Sequence, residues 1–211
     1  MEIKNLTISN GAPGLYTKAV EITAPETKIS NCKIYNTPIG IALWTSYNLI
    51  ENCIFTGCLD EAIALLGSQY SKCDYNKITY CEFYNNCDGI ELQNSSNNII
   101  SNCKFYNNSH IGINAIKSSN NKNIILNCEI HNNTVGGIYL SSSSNNHIID
   151  CFISSNGDEN ITITKNSYNN NVINSKSSSL FKENNLKKRI FERLSYTRIL
   201  VHIFTNFLKK V

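Results

Sequence analysis

The chain repeats itself, and the repeat leaves few folds open to it. An isoleucine, a cysteine three residues on and an isoleucine or phenylalanine two residues further recur along most of its length. Residues 97–116 are the clearest copy, with Ile100, Cys103 and Phe105, an Asn107–Asn108 corner, and a second apolar run from Gly112. The series reads Ile29/Cys32/Ile34, Ile50/Cys53/Phe55, Ile78/Cys81/Phe83, Ile100/Cys103/Phe105 and Ile125/Cys128/Ile130. It continues with Ile149 beside Cys151/Ile153, and a degenerate Val172/Ser175 closes it. Repeats of this size stack into a solenoid, because one copy cannot bury its own apolar face.

A second strand follows nine or ten residues after each cysteine: Ile41–Leu43, Ile63–Leu65, Ile90–Leu92, Ile113–Ala115, Ile138–Leu140 and Ile161–Ile163. Alternate residues of a strand point the same way, so the Ile, Leu, Cys and Phe columns face a core and the residues between them face solvent. Short strands, polar corners and a period of about 22 residues predict an all-β, single-stranded parallel β-helix of about seven turns. Strands in successive turns then pair at about 4.8 Å along the axis. Ile3-x-x-Leu6-x-Ile8 reads as the tail of an incomplete turn, and the register is taken to begin at Val20.

Asparagine marks the corners. It tolerates left-handed backbone geometry, and its side chain supplies hydrogen bonds that a turn lacks. Asn36, Asn85, Asn107 and Asn132 form one column, and Asn86, Asn108, Asn133 and Asn156 the next.

Nine cysteines invite a disulfide or metal reading. Six of them (Cys32, Cys53, Cys81, Cys103, Cys128, Cys151) are separated by 21, 28, 22, 25 and 23 residues, which stacks them as small buried hydrophobes. There is no C-x-x-C, and no metal ligand is assigned. Cys58, Cys73 and Cys87 fall outside this ladder, without an activating cation in the nearby sequence.

Charge divides the chain. All three arginines (Arg189, Arg193, Arg198) follow residue 180, with Lys182, Lys187, Lys188, Lys209 and Lys210. Residues 1–179 are read as the solenoid, and 180–211 as a basic amphipathic helical tail. That tail either caps the open core or docks to a membrane or protein through residues 181–211. Met1–Asn5 lacks the basic and apolar regions of a secretory signal, and no apolar run is long enough to span a membrane. The chain opens in mid-repeat, as a piece of a longer protein would. The neutral-to-acidic solenoid predicts no nucleic-acid partner.

The pattern G-I-x-L…N-x-I-x-x-[N/C]-x-I-x-N-N, seen as Gly89-Ile90-Glu91-Leu92 through Cys103-x-Phe105-x-Asn107-Asn108, resembles the right-handed parallel β-helix superfamily with pectin-lyase-like turns. Within it, the repeat is most similar to the NosD-like, right-handed β-helix region proteins, over about residues 20–175. The resemblance implies a right-handed helix, a polysaccharide or glycan as partner, and an extracellular or cell-surface location. Its enzymes' motifs do not carry over. The solenoid body has no arginine for a lyase, no Gly-His-Gly stretch for a glycosidase and no Asp-Pro-His-Asp for an epimerase.

Two outward groups carry candidate chemistry. Tyr35, Tyr84, Tyr106 and His131 stand three residues after their cysteines, an aromatic stripe suited to sugar rings or to stacking on itself. Asp60, Glu61, Asp88 and Glu91 sit on two successive turns, with Glu61 and Asp88 each two residues before the strand isoleucine. Close carboxylates can split their pKa values into acid and base, or hold Ca²⁺ if the protein is an enzyme. Trp44 from the preceding turn, His110 one turn on, and the inserted loop Gly67–Lys77 border them. A further outward column, Glu82–Lys104–Glu129, alternates in sign and is read as structural ion pairing. The sequence thus favours a carbohydrate-binding or surface-scaffold module. The alternatives are a polysaccharide lyase or glycosidase using the four carboxyls, and a purely structural protein.

Overall fold

The computed structural model describes residues 1–9, 17–118 and 122–177. They form a right-handed parallel solenoid of three sheets running the length of the molecule. Sheet A has eight strands, from Glu2–Lys4 to Asn171–Ile173, each ending two residues before the cysteine position or its equivalent. Sheet B has eight, beginning one residue after that position. Sheet C has seven longer strands, including Ile39–Leu43, Glu61–Leu66, Asp88–Gln93, Ile111–Ser118 and Gly136–Ser143. The basic tail predicted over 180–211 lies outside the described residues.

The core is built in columns. Phe55, Phe83 and Phe105 stack in parallel at 5.0 and 4.7 Å between centroids, all fully buried. Each ladder thiol donates to the carbonyl two residues earlier, as Cys103 does to Ser101 at 3.2 Å, and so closes the corner between sheets A and B. Ser175 repeats the bond to Ile173 at 3.2 Å where the cysteine series ends. The cysteines are therefore small hydrophobes whose thiols also hold the corner by hydrogen bonds.

Three corners per turn each use at least one residue with positive φ. Asn31, Asn52, Asn102 and Asn127 supply it between sheets A and B, and Asn36, Gly57, Asn85, Asn107 and Asn132 after sheet B. At the third corner the position is held by Glu26, Tyr47, Tyr75, Asn97, Lys122 and Asn145. The predicted Asn86–Asn108–Asn133–Asn156 column is a continuous ladder, with side-chain amide bonds of 3.1, 2.8 and 2.8 Å between successive members. A second buried ladder, Asn48, Asn76, Asn98, Asn123 and Asn146, joins the turns at the corner before sheet A. It was not anticipated from the sequence.

Two register assignments change. In the sixth ladder turn the core column is occupied by Ile148, which pairs with Ile125 and Val172, while Ile149 pairs with Leu126 and Ile173. The register also begins earlier than Val20, because Ile3 pairs with Ile29 and Ile8 with Ile34. Leu6 stands where later turns have cysteine and remains half exposed at the end of the stack.

Candidate functional site on the outer face of sheet C

Sheet C enters each turn through a tight bend that favours glycine. A Cβ at Gly89 would sit 2.4 Å from the Gly112 carbonyl oxygen, and one at Gly137 would sit 2.4 Å from that of Asn160. The residues just before this bend lie on the shoulder of the sheet, and here the structure gathers the predicted carboxyls. Glu61 and Asp88 are direct register partners, and Glu91 is flanked by Ala64 and Asn114. The Asp88 amide donates to the Asp60 carbonyl at 3.0 Å, which ties Asp60 to the same place.

Asp88 is buried and fully engaged. Its Oδ1 accepts from the Ile111 amide at 2.8 Å and meets Nδ1 of His110 at 2.7 Å, while Oδ2 accepts from the Asn114 side-chain amide at 3.2 Å. Acceptance at both oxygens is what a carboxylate provides, and it leaves Nδ1 of His110 as the donor. Asn114 is only 8% exposed, and its Oδ1 has no partner among the described residues. Cys87, half-buried beside Asp88, is tied to the next turn by the His110 amide, which donates to its carbonyl at 3.1 Å.

Electrostatics follow from this crowding. Burial, then the charges of Asp60 and Glu91, push the Glu61 carboxyl up to about 8. Burial and the Asp88 and Asp60 charges raise Glu91 as well, with Lys117 opposing. Burial and the same carboxylates raise the Cys87 thiol. A protonated carboxyl beside an anchored carboxylate can give and take protons.

The predicted ligand-binding residues divide between faces. Trp44 directly follows a sheet C strand, but its indole N–H donates to Glu21 at 2.9 Å, one turn toward the N-terminus, and Lys18 lies 5.9 Å from the ring. Tyr35, Tyr84, Tyr106 and His131 form the expected column on sheet B instead. Tyr84 stacks on Tyr106 at 5.1 Å and Tyr106 on His131 at 5.5 Å, so these rings spend faces on one another and offer mainly edges outward. Lys33 sits 5.4 Å from the Tyr35 ring. Beside that stripe Lys104 pairs with Glu129 at 3.5 Å, as the alternating charges suggest.

Sequence reasoning missed a further aromatic pair. Tyr47 and Tyr75 stack at 5.2 Å on the corner following sheet C, both with left-handed backbones that a bulky side chain seldom adopts. The Gly67–Lys77 loop folds back beside them: Ser71 Oγ donates to the Trp44 carbonyl at 2.9 Å, and the buried Cys73 thiol to the Leu43 carbonyl at 3.3 Å. Tyr70 on this loop is 90% exposed. The outer face of sheet C is thus bordered by carboxyls on one edge and tyrosines on the other.

Residues 13–177 match the family described as right handed beta helix region, and the chain belongs to it. No curated protein matches it in sequence. Among solved structures it is similar to the Azotobacter vinelandii mannuronan C-5 epimerase AlgE6 A-module, with 14% identity, a TM-score of 0.56, and 85% of this chain and 57% of that one covered. It is also similar to the pectate lyase Pel9A, with 13% identity, a TM-score of 0.50, and 67% and 44% covered. At such identities the likeness is one of fold. The chain spans about half the length of each.

Proposed function

We propose that the outer face of sheet C binds an uncharged, hydroxyl-rich glycan, with Glu61 and Glu91 as its polar contacts. The observation that carries this is the convergence of planar hydrogen-bonding side chains on one outward face, around an Asp88 fixed by three donors. Carboxylates accept from sugar hydroxyls, and the tyrosines across the face supply apolar surface. A pectate lyase and a mannuronan C-5 epimerase built on this fold support a glycan as the ligand class. A polyanion would meet like charge from the carboxylates around the protonated Glu61, which points to a neutral chain.

The test is a glycan array on the full protein. Binding to a neutral glycan that falls with Glu91→Ala and Tyr75→Ala but persists with Tyr84→Ala/Tyr106→Ala places the ligand on sheet C. The reverse pattern moves it to the sheet B stripe, and no binding removes the reading.

A second reading is favoured by Glu61, whose carboxyl keeps its proton up to about pH 8 next to Asp88. Glycoside hydrolysis uses such a pair. Release of reducing ends from a glycan found on the array, abolished by Glu61→Gln, supports hydrolysis; binding without turnover leaves the module non-catalytic.

A further inference from the structure

Cys87, Asp88 and His110 stand apart from the glycan contacts by the chemistry of their donor atoms. One ligand atom from each, a thiol sulfur, a carboxylate oxygen and an imidazole nitrogen, lies within 4.8 Å of the others. The three come from two successive turns, locked together by the backbone bond from the His110 amide to the Cys87 carbonyl and by the Ile111 amide on Asp88. We propose that these three residues form a binding site for a divalent transition metal of the zinc class.

The donor set selects the metal. Ca²⁺ takes six to eight oxygens, whereas sulfur, nitrogen and one oxygen suit a borderline-soft ion held by three protein ligands with a fourth position open. The His110 ring is already oriented. Its Nδ1 lies 2.7 Å from Asp88 Oδ1, so in the tautomer that carries the ring proton on Nε2 the Nδ1 lone pair and the Asp88 oxygen face the same point. His110 is half exposed while Asp88 is nearly closed off, so an ion has a route in from solvent on the imidazole side.

A second observation points into the same place. The Asn114 side chain gives its amide N–H to Asp88, yet its Oδ1 is buried without a partner among the described residues. A buried carbonyl left in that state is costly, so a group that donates to it is expected. A water on the open metal position would donate there. The proposal does not depend on the glycan reading, because the ligands are complete without a sugar.

The test uses the full, reduced chain without a histidine tag, and no glycan. Co²⁺ and Zn²⁺ are titrated separately. The expected result is one Co²⁺ per chain with a thiolate-to-cobalt charge-transfer band, displaced by Zn²⁺ and not by Ca²⁺. Cys87→Ser should abolish the band, and His110→Gln should weaken Co²⁺ binding at least about tenfold. Thiol labelling gives an independent reading. Cys87 is the only cysteine of the nine that is not buried, so Zn²⁺ should slow the one fast-reacting thiol. Absence of the band, Ca²⁺ competing as well as Zn²⁺, or labelling of Cys87 unchanged by Zn²⁺ would each overturn the proposal. If Cys87→Ser does not fold, Cys87→Ala and the labelling of the native chain decide it.

Discussion

Asp88 Oδ1 takes two hydrogen bonds at once, from Nδ1 of His110 at 2.7 Å and from the Ile111 amide at 2.8 Å. One buried carboxylate thereby fixes both the entry of the next sheet C strand and the rotamer of an exposed imidazole. Asp88→Ala leaves the Ile111 amide and the Asn114 side chain without acceptors, a cost of about 2–3 kcal/mol in urea unfolding. Asp88→Asn should cost only about 1 kcal/mol. Asn114 can turn its unpartnered Oδ1 toward the new amide, and a double variant with Asn114→Ala should lose that relief.

Glu61 makes stability depend on pH. Its folded value of about 8 lies above the ordinary 4.5, so the folded state holds a proton that the unfolded chain has released. The sign follows: this contribution is complete below about pH 4.5 and is lost as pH rises toward 8. Glu61→Gln should therefore stabilise the protein more at pH 8 than at pH 5, measured by urea midpoints. A smaller slope of the same sign remains, because Glu91 is shifted in the same direction.

The inner and outer corner asparagines should respond differently. Asn108 accepts from Asn86 through both backbone and side chain and donates to the Phe83 carbonyl and to Asn133, all buried. Asn108→Ala strands several of these groups, at about 3 kcal/mol or more. The exposed Asn107 is needed for its positive φ of 55°. Asn107→Gly should be nearly neutral, and Asn107→Val should cost about 1–2 kcal/mol.

Phe83 sits between two stacked rings, so truncation opens a void that neither neighbour can fill alone. Phe83→Ala should cost about 4 kcal/mol and Phe83→Leu under about 1.5 kcal/mol by chemical denaturation.

The core columns were legible because Ile, Cys and Phe keep fixed offsets from the corner even where turn length varies. Where two isoleucines are adjacent the pattern is ambiguous, and Ile149 fits it from sequence although Ile148 holds the core column. The Asn48–Asn146 ladder sits five residues before each cysteine, yet it hides among many other asparagines. Asp88 and Glu61 were correctly paired by their common distance from the strand isoleucine. The Asp88–His110 contact was only a neighbourhood in the sequence, because corner lengths differ by one residue: two residues separate Asn86 from Asp88 and three separate Asn108 from Ile111, its equivalent. The aromatic stripe was placed correctly, but its consumption of ring faces depends on inter-turn spacing that no linear pattern encodes.

Every turn of this molecule meets its neighbours through the same columns, so the unit of change open to it is the whole turn. Removing residues 103–127 would bring Cys128 against Cys81, with isoleucine, thiol and corner asparagine each meeting their own kind. Such a deletion would erase His110 while leaving Cys87 and Asp88 in place. Gain or loss of a whole turn can thus change the length of the rod without disturbing its interior, and a surface constellation spanning two turns is created or broken in a single recombination.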